Sequence, residues 1–265
     1  VAVREAREMI VRQKERLMVH FGIVAVPIFI VVVWQASSSL FPYLFLPTPL
    51  KTFEVLISGL TERGWLLSDL KDTMIELILG YLLAVILGLA VGFILGINRF
   101  LREVSEPFVL NIYAIPKVTL FPIFLFLFGL GMESKIAFGF FHGIFPIVIL
   151  TMGAIKDIKG IYIKVARSFR LNPLQLFKEV IFPSTLPSVM TGLRLGFNLA
   201  FIGVILGEMS ASKTGLGYEL MRSEGAFYME KIICIVVVLA AIAIAVNYLY
   251  YFIEERFMGA QLRSF

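Results

Sequence analysis

The stretch IYAIPKVTLFPIF, residues 112–124, sets a lysine and two prolines inside an apolar run. Pro116 and Pro122 each lack an amide donor, and the ring of each crowds the preceding turn, so a helix kinks or breaks there. Broken backbone at membrane depth is tolerated where protein or a water-filled cavity surrounds it. The ammonium of Lys117 at that depth costs roughly 3 kcal/mol unless it reaches water or a partner. Two readings stand: a kinked helix lining a transport pathway, where a lysine suits an anion, or a lysine snorkelling from near a helix end. Glu208 and Asn198 are further polar residues within apolar segments and join Pro116, Lys117 and Pro122 as pathway candidates. Glu76 is a weaker one. Arg194 can snorkel, and His142 in FFHGIFP reads as a packing residue. No catalytic or metal-binding set emerges. HExxH, CxxC and GxSxG are absent, and no Gly-Lys pair exists to build a phosphate loop. The lone Cys234 lies in an apolar run and reads as packing.

A second patterned stretch is basic. KDIKGIYIKVARSFRL, residues 156–171, repeats apolar residues at Ile158, Ile161, Tyr162, Val165, Ala166 and Phe169, the spacing of an amphipathic helix. Asn172-Pro173 breaks it and can start a new turn. LQLFKEVIF follows as a second short helix that Pro183 is expected to end. Two short helices joined by a turn make a docking surface that nothing else in the chain needs.

Both stretches must be held by a membrane bundle. Of 265 residues, 59% are hydrophobic and only 16% charged, with 25 phenylalanines; a soluble domain carries about a quarter charged. About 20 apolar residues cross the hydrocarbon core, and six candidates are found: 21–40, 73–97, 108–130, 136–155, 184–208 and 232–253. EAREMIVRQKERLMVH before the first reads as an amphipathic surface helix. Its acidic residues and the later spans favour an uncleaved first span over a signal peptide. The domains are thus 1–20, an amphipathic cytoplasmic segment, and 21–265, a transmembrane domain with a loop at 156–183. Fifteen Lys and Arg fall on the side of both termini and of that loop, and seven on the other, which places the termini and the loop in the cytoplasm. The net charge of +5 is spread between apolar runs and not gathered on one face, which argues against nucleic acid.

Glycines recur at four-residue spacing: Gly88, Gly92 and Gly96; Gly139 and Gly143; Gly192 and Gly196; Gly203 and Gly207. Such spacing lets helices approach closely in lipid. A single pair is weak evidence, but repetition over three spans predicts a tight bundle.

With these residues in view, the chain resembles the permease subunits of ATP-binding-cassette importers, nearest the branch for nitrate, aliphatic sulfonates and taurine. The likeness extends over most of the chain. LPTPLKTFEVL, IPKVTLFPIFLFLFGLG, TGLRLGFNLAFIGVILGEM and SKTGLGYEL carry it, with the cytoplasmic loop. In permeases of that family the cytoplasmic loop reads Glu-Ala-Ala, a Gly four residues on, a hydrophobic residue, then Leu-Pro. Here Val165 and Ala166 fall on the Ala positions, Val180 on the hydrophobic one, and Phe182-Pro183 on Leu-Pro. Lys164 stands at the Glu position and Arg170 at the Gly position, reversing a charge and adding bulk. The resemblance implies an all-α membrane protein of six transmembrane helices, an N-terminal amphipathic helix and cytoplasmic coupling helices. It implies that Lys164, Val165, Ala166, Arg167, Arg170, Leu171, Asn172, Pro173 and Phe177 couple to an ATPase, with Leu171–Pro173 at the docking turn.

The resemblance further implies a multi-pass protein of the bacterial inner membrane, acting as a dimer with a second copy or a paralogue. Its partners would be two ATPase subunits, a periplasmic or lipid-anchored substrate-binding protein and membrane lipid. This chain would hold no cofactor, ATP and Mg²⁺ being bound by the ATPases. It would import a small anion by alternating access. The rivals are an ion-coupled secondary transporter, which needs coupling-ion sites within the spans, a divergent half of a heterodimer that does not couple, and an intramembrane enzyme, whose motifs are missing.

Overall fold

Local sequence sets where the helices begin. Thr48 accepts from the Lys51 amide at 3.3 Å and Pro49 occupies the first turn, so a helix starts there. The computed structural model describes residues 22, 25–41, 46–61 and 64–262, with side chains as far as residue 256. Segment 1–20, expected as an amphipathic helix, and the start of the expected first span lie outside them. In chain order the helices are α1 (Ala25–Leu40), α2 (Pro49–Leu60), α3 (Trp65–Ile97), α4 (Arg99–Ala114), a 3₁₀ turn (Lys117–Leu120) and α5 (Phe121–Phe128). There follow α6 (Met132–Lys156), α7 (Gly160–Ser168), α8 (Pro173–Leu176), a π-helical turn (Phe177–Ile181), α9 (Phe182–Ala211), α10 (Leu216–Gly225) and α11 (Met229–Leu262). No strand occurs among the described residues.

Among the described residues, four helices are long and apolar enough to cross a membrane: α3, α6, the continuous stretch Pro173–Ala211, and α11. α4 with the following Lys117–Phe128 makes a fifth if that bent pair is one span, and Ala25–Leu40 is a shorter apolar helix. The all-α membrane fold is therefore present, and four or five of the six spans expected are matched by length.

Two local expectations are corrected. The third span does not run as a kinked helix over 108–130. It begins at Arg99 and breaks by 84° between Ala114 and Lys117. Ile115 is extended, at φ −61° and ψ 134°, because the ring of Pro116 bars its predecessor from the helical region. Pro183 does not end the second helix of the insert either. The Phe182 amide reaches back five residues to the Phe177 carbonyl, and this wider turn carries the chain through Pro183 into α9.

The core is α6 held between α3 and α9. Gly143 on α6 and Gly196 on α9 lie face to face, so close that a Cβ on Gly143 would stand 2.8 Å from the Gly196 carbonyl oxygen. Gly88 meets Ile147, Gly92 meets Thr151, and Gly203 meets His142. The four-residue glycine spacing is thus the seam of a three-helix core. The outer faces stay apolar and exposed, with Phe29 on α1, Phe108 on α4 and Ile244 on α11 among them, as suits lipid or another subunit.

Candidate functional site

At the end of the core opposite the insert, polar side chains on α3 and α9 cap the start of α10. A helix leaves its first amides without internal partners. Here the Gly215 amide donates to Asp69 Oδ1 at 3.0 Å, the Leu216 amide to Thr73 Oγ1 at 2.9 Å, and the Gly217 amide to Glu208 Oε2 at 2.7 Å. Thr73 Oγ1 in turn donates to Glu208 Oε1 at 2.7 Å. Gly215 has φ +103°, and a Cβ on it would collide with the Glu208 carboxyl group, so glycine is required. Glu208 is fully buried, and both of its oxygens are engaged within the chain. Glu76 lies beside it, with Lys135 Nζ 3.4 Å from Glu76 Oε1. Lys135, counted from sequence with a connecting loop, sits buried in the first turn of α6. Sequence reasoning gave this cluster little weight. Its signal was a polar stripe, Asp69, Thr73 and Glu76, at helical spacing on one face of an apolar helix.

Pro116 and Lys117 sit at the 84° break, and Pro122 lies in the first turn of α5. Pro116 and Pro122 are exposed and Lys117 is half-buried. The ammonium of Lys117 donates to the Tyr113 carbonyl at 3.0 Å and lies 4.1 Å from the Tyr113 ring centroid and 5.5 Å from that of Phe145. Among the described residues no carboxylate pairs with it. Asn198, the remaining pathway candidate, faces α11. Its amide exchanges hydrogen bonds with Asn247 at 3.2 and 2.8 Å, beside the Tyr81–Tyr250 hydroxyl contact that joins α3 to α11. The structure therefore places Pro116 and Lys117 at the break, sets Pro122 in the helix beyond it, and leaves Asn198 and Glu208 in separate helix contacts.

The insert folds through two linked caps. The Leu171 amide reaches the Ala166 carbonyl at 3.2 Å and the Arg170 amide the Arg167 carbonyl at 2.9 Å. With Arg170 left-handed at φ +53°, this is a Schellman ending for α7. The next residue but one, Asn172, opens α8. Its side chain accepts from the Gln175 amide at 2.8 Å, and the Gln175 side chain accepts from the Asn172 amide at 2.9 Å. Pro173 takes the first helical position. Arg170, which stands where the resemblance places glycine, thus occupies the one backbone conformation there that glycine adopts without strain. Ala166 is buried, while Lys164, Val165, Arg167, Arg170, Asn172 and Pro173 are exposed and Leu171 half-buried. Ile161, Tyr162, Phe169 and Leu174 add apolar surface that stays exposed among the described residues. Phe177 turns the other way. Its ring packs on Phe93 of α3, centroids 5.1 Å apart, and on Phe182 at 6.2 Å, tying the insert to the bundle.

Residues 84–259 match the model of the family described as "Binding-protein-dependent transport system inner membrane component". The chain belongs to this family. A probable ABC transporter permease protein of Haemophilus influenzae is 27% identical over 92% of this chain and 98% of its own. The nitrate import permease protein NrtB of Synechococcus elongatus is 31% identical, covering 77% of this chain and 76% of its own. The taurine transport permease TauC of Escherichia coli is 28% identical over 79% and 75%. A solved chain of the MetNI methionine ABC transporter, in an inward-facing conformation, superposes with a TM-score of 0.64 at 18% identity. It covers 75% of this chain and 97% of that one, which is likeness of fold. This inner membrane component is the permease subunit of an ABC importer, a transport subunit and not an enzyme; partner ATPases hydrolyse the ATP, and a substrate-binding protein belongs to the system. The relatives do not favour the secondary transporter, the non-coupling half or the intramembrane enzyme.

Proposed function

We propose that this permease imports a small anion of the nitrate, sulfonate or taurine kind, past Lys117. The observation that carries this reading is a half-buried ammonium at a broken span, held by a carbonyl and two ring faces and facing no carboxylate among the described residues. Such a cation can serve as a transient counter-charge for an anion. The names of the nitrate and taurine relatives support the substrate class. Two such permease chains, copies or paralogues, would stand together with both termini in the cytoplasm and rock between outward- and inward-open states. ATP and Mg²⁺ would be bound by two ATPases seated on the turn between α7 and α8. The exposed Lys164, Arg167 and Arg170 lack carboxylate partners among the described residues, so the ATPase cleft that receives them would be acidic. ATP would act by binding one arrangement more tightly than the other.

The test is uptake by the full complex in proteoliposomes, with nitrate, taurine and an alkanesulfonate offered in turn. Lys117→Ala is expected to lower uptake of the accepted anion at least tenfold while the ATPases still co-purify. Uptake and substrate-stimulated ATP hydrolysis unchanged in that variant would overturn the role of Lys117.

A further inference from the structure

The cap on α10 contains more carboxyl groups than its charge balance allows. Glu76 on α3 and Glu208 on α9 are 1% and 0% exposed, and their carboxyl groups are neighbours beside Thr73, which lies one turn before Glu76 and bonds Glu208. One ammonium faces them, that of Lys135 on α6, itself 3% exposed. The other charged groups nearby are elsewhere engaged or negative. Asp69 accepts from the Gly215 amide, Asp72 adds a further carboxylate on α3, and Lys231 of α11 is paired with Glu219 of α10. Glu208 receives two donors, Thr73 and Gly217. Neither oxygen of Glu76 receives a hydrogen bond from a hydroxyl or an amide.

Two neighbouring buried carboxylates repel strongly, and one ammonium leaves a net charge in a dry site. A single proton removes both problems. We propose that Glu76 and Glu208 share one proton, as a carboxylic acid–carboxylate hydrogen bond whose remaining negative charge is balanced by Lys135. The proton belongs to the pair and to neither residue alone. Two carboxyl groups, one ammonium and one proton then sum to zero charge, and the empty acceptor on Glu76 is filled. The bound proton completes a chain from Lys135 on α6 through Glu76 and Glu208 to the Gly217 amide, with Thr73 bridging to Leu216. The first turn of α10 is thereby latched to all three core helices. This site is independent of the solute carried and of Lys117, which lies on another element.

The test is infrared spectroscopy of the full permease in nanodiscs in deuterated buffer at neutral pH. The wild type is expected to show the C=O stretch of a buried protonated carboxylic acid. Glu76→Gln and Glu208→Gln should each abolish that band, because either leaves one carboxylate to pair with Lys135. Both changes keep side-chain shape and an amide that can donate to the remaining carboxylate; should Glu208→Gln fail to fold, Glu76→Gln alone still reads the band. Absence of the band from the wild type, or its survival in either variant, overturns the shared proton. Hydrogen exchange at the Gly215, Leu216 and Gly217 amides reads the latch. Glu76→Gln should leave their protection in place, whereas Glu76→Ala should lower it; equal protection in Glu76→Ala and the wild type overturns the latch.

Discussion

Replacing Gly143 by alanine tests the seam on which every placement above depends. The new Cβ would stand 2.8 Å from the Gly196 carbonyl oxygen, 3.0 Å from the Ala200 Cβ and 3.3 Å from the Ala84 Cβ. Ordinary contact begins near 3.4 Å, so α6 and α9 have to part by 0.6 Å (3.4 − 2.8) at that point. The obstructing oxygen is helix backbone and cannot rotate aside, and α3 closes the other side. Forcing a methyl group into such a core costs about 1–3 kcal/mol. Gly153 supplies the control. It lies on the same helix, and a Cβ there meets nothing within 4 Å. Losing glycine's backbone freedom at an open helical site stabilises by about 0.5–1 kcal/mol. Both variants share that backbone gain, so they should differ by the steric cost alone, about 1–3 kcal/mol, with Gly143→Ala the less stable. Thermal unfolding in mild detergent, followed by circular dichroism, measures this. If Gly143→Ala and Gly153→Ala shift Tm in the same direction by similar amounts, the close approach of α6 and α9 is not what the glycines provide.

The Asn198–Asn247 exchange joins α9 to α11, and a double-mutant cycle with alanine should return a coupling of about 0.6–1.7 kcal/mol, the range for hydrogen bonds between membrane helices; additive single effects would count against the pair. Arg170→Gly relieves about 1–2 kcal/mol of left-handed strain and loses about 0.5–1 kcal/mol to the freer unfolded chain. Protection of the Leu171 amide against exchange, bonded to the Ala166 carbonyl, should hold or rise up to about tenfold; a fall would show that the arginine side chain itself supports the turn.

Much of the membrane architecture is local and so was legible in the chain. Apolar runs mark the spans because the hydrocarbon core fixes their length. Glycines four residues apart predict a close seam, and the three helices that carry them are those that pack together. The ending of α7 and the start of α8 are written in Asn172-Pro173 and Gln175, because caps are made by residues within one turn. Family membership was legible for a similar reason, since short ordered motifs carried it.

What only the tertiary structure decided involves residues far apart in the chain, or small differences between backbone states. Proline at 116 announced a break, but its 84° size depends on where α5 and α6 pack. Pro183 read as a stop, yet a π turn costs little when Phe177 and Phe182 are held against Phe93, so the helix continues. Asn198 and Glu208 looked alike in sequence as polar residues in one apolar span. Packing gave one an asparagine on α11 and the other a helix start on α10. Glu76 and Lys135 carried no mark of each other, because a charge in a span is costly or balanced according to what the fold brings within a few ångströms of it, and sequence spacing does not encode that distance.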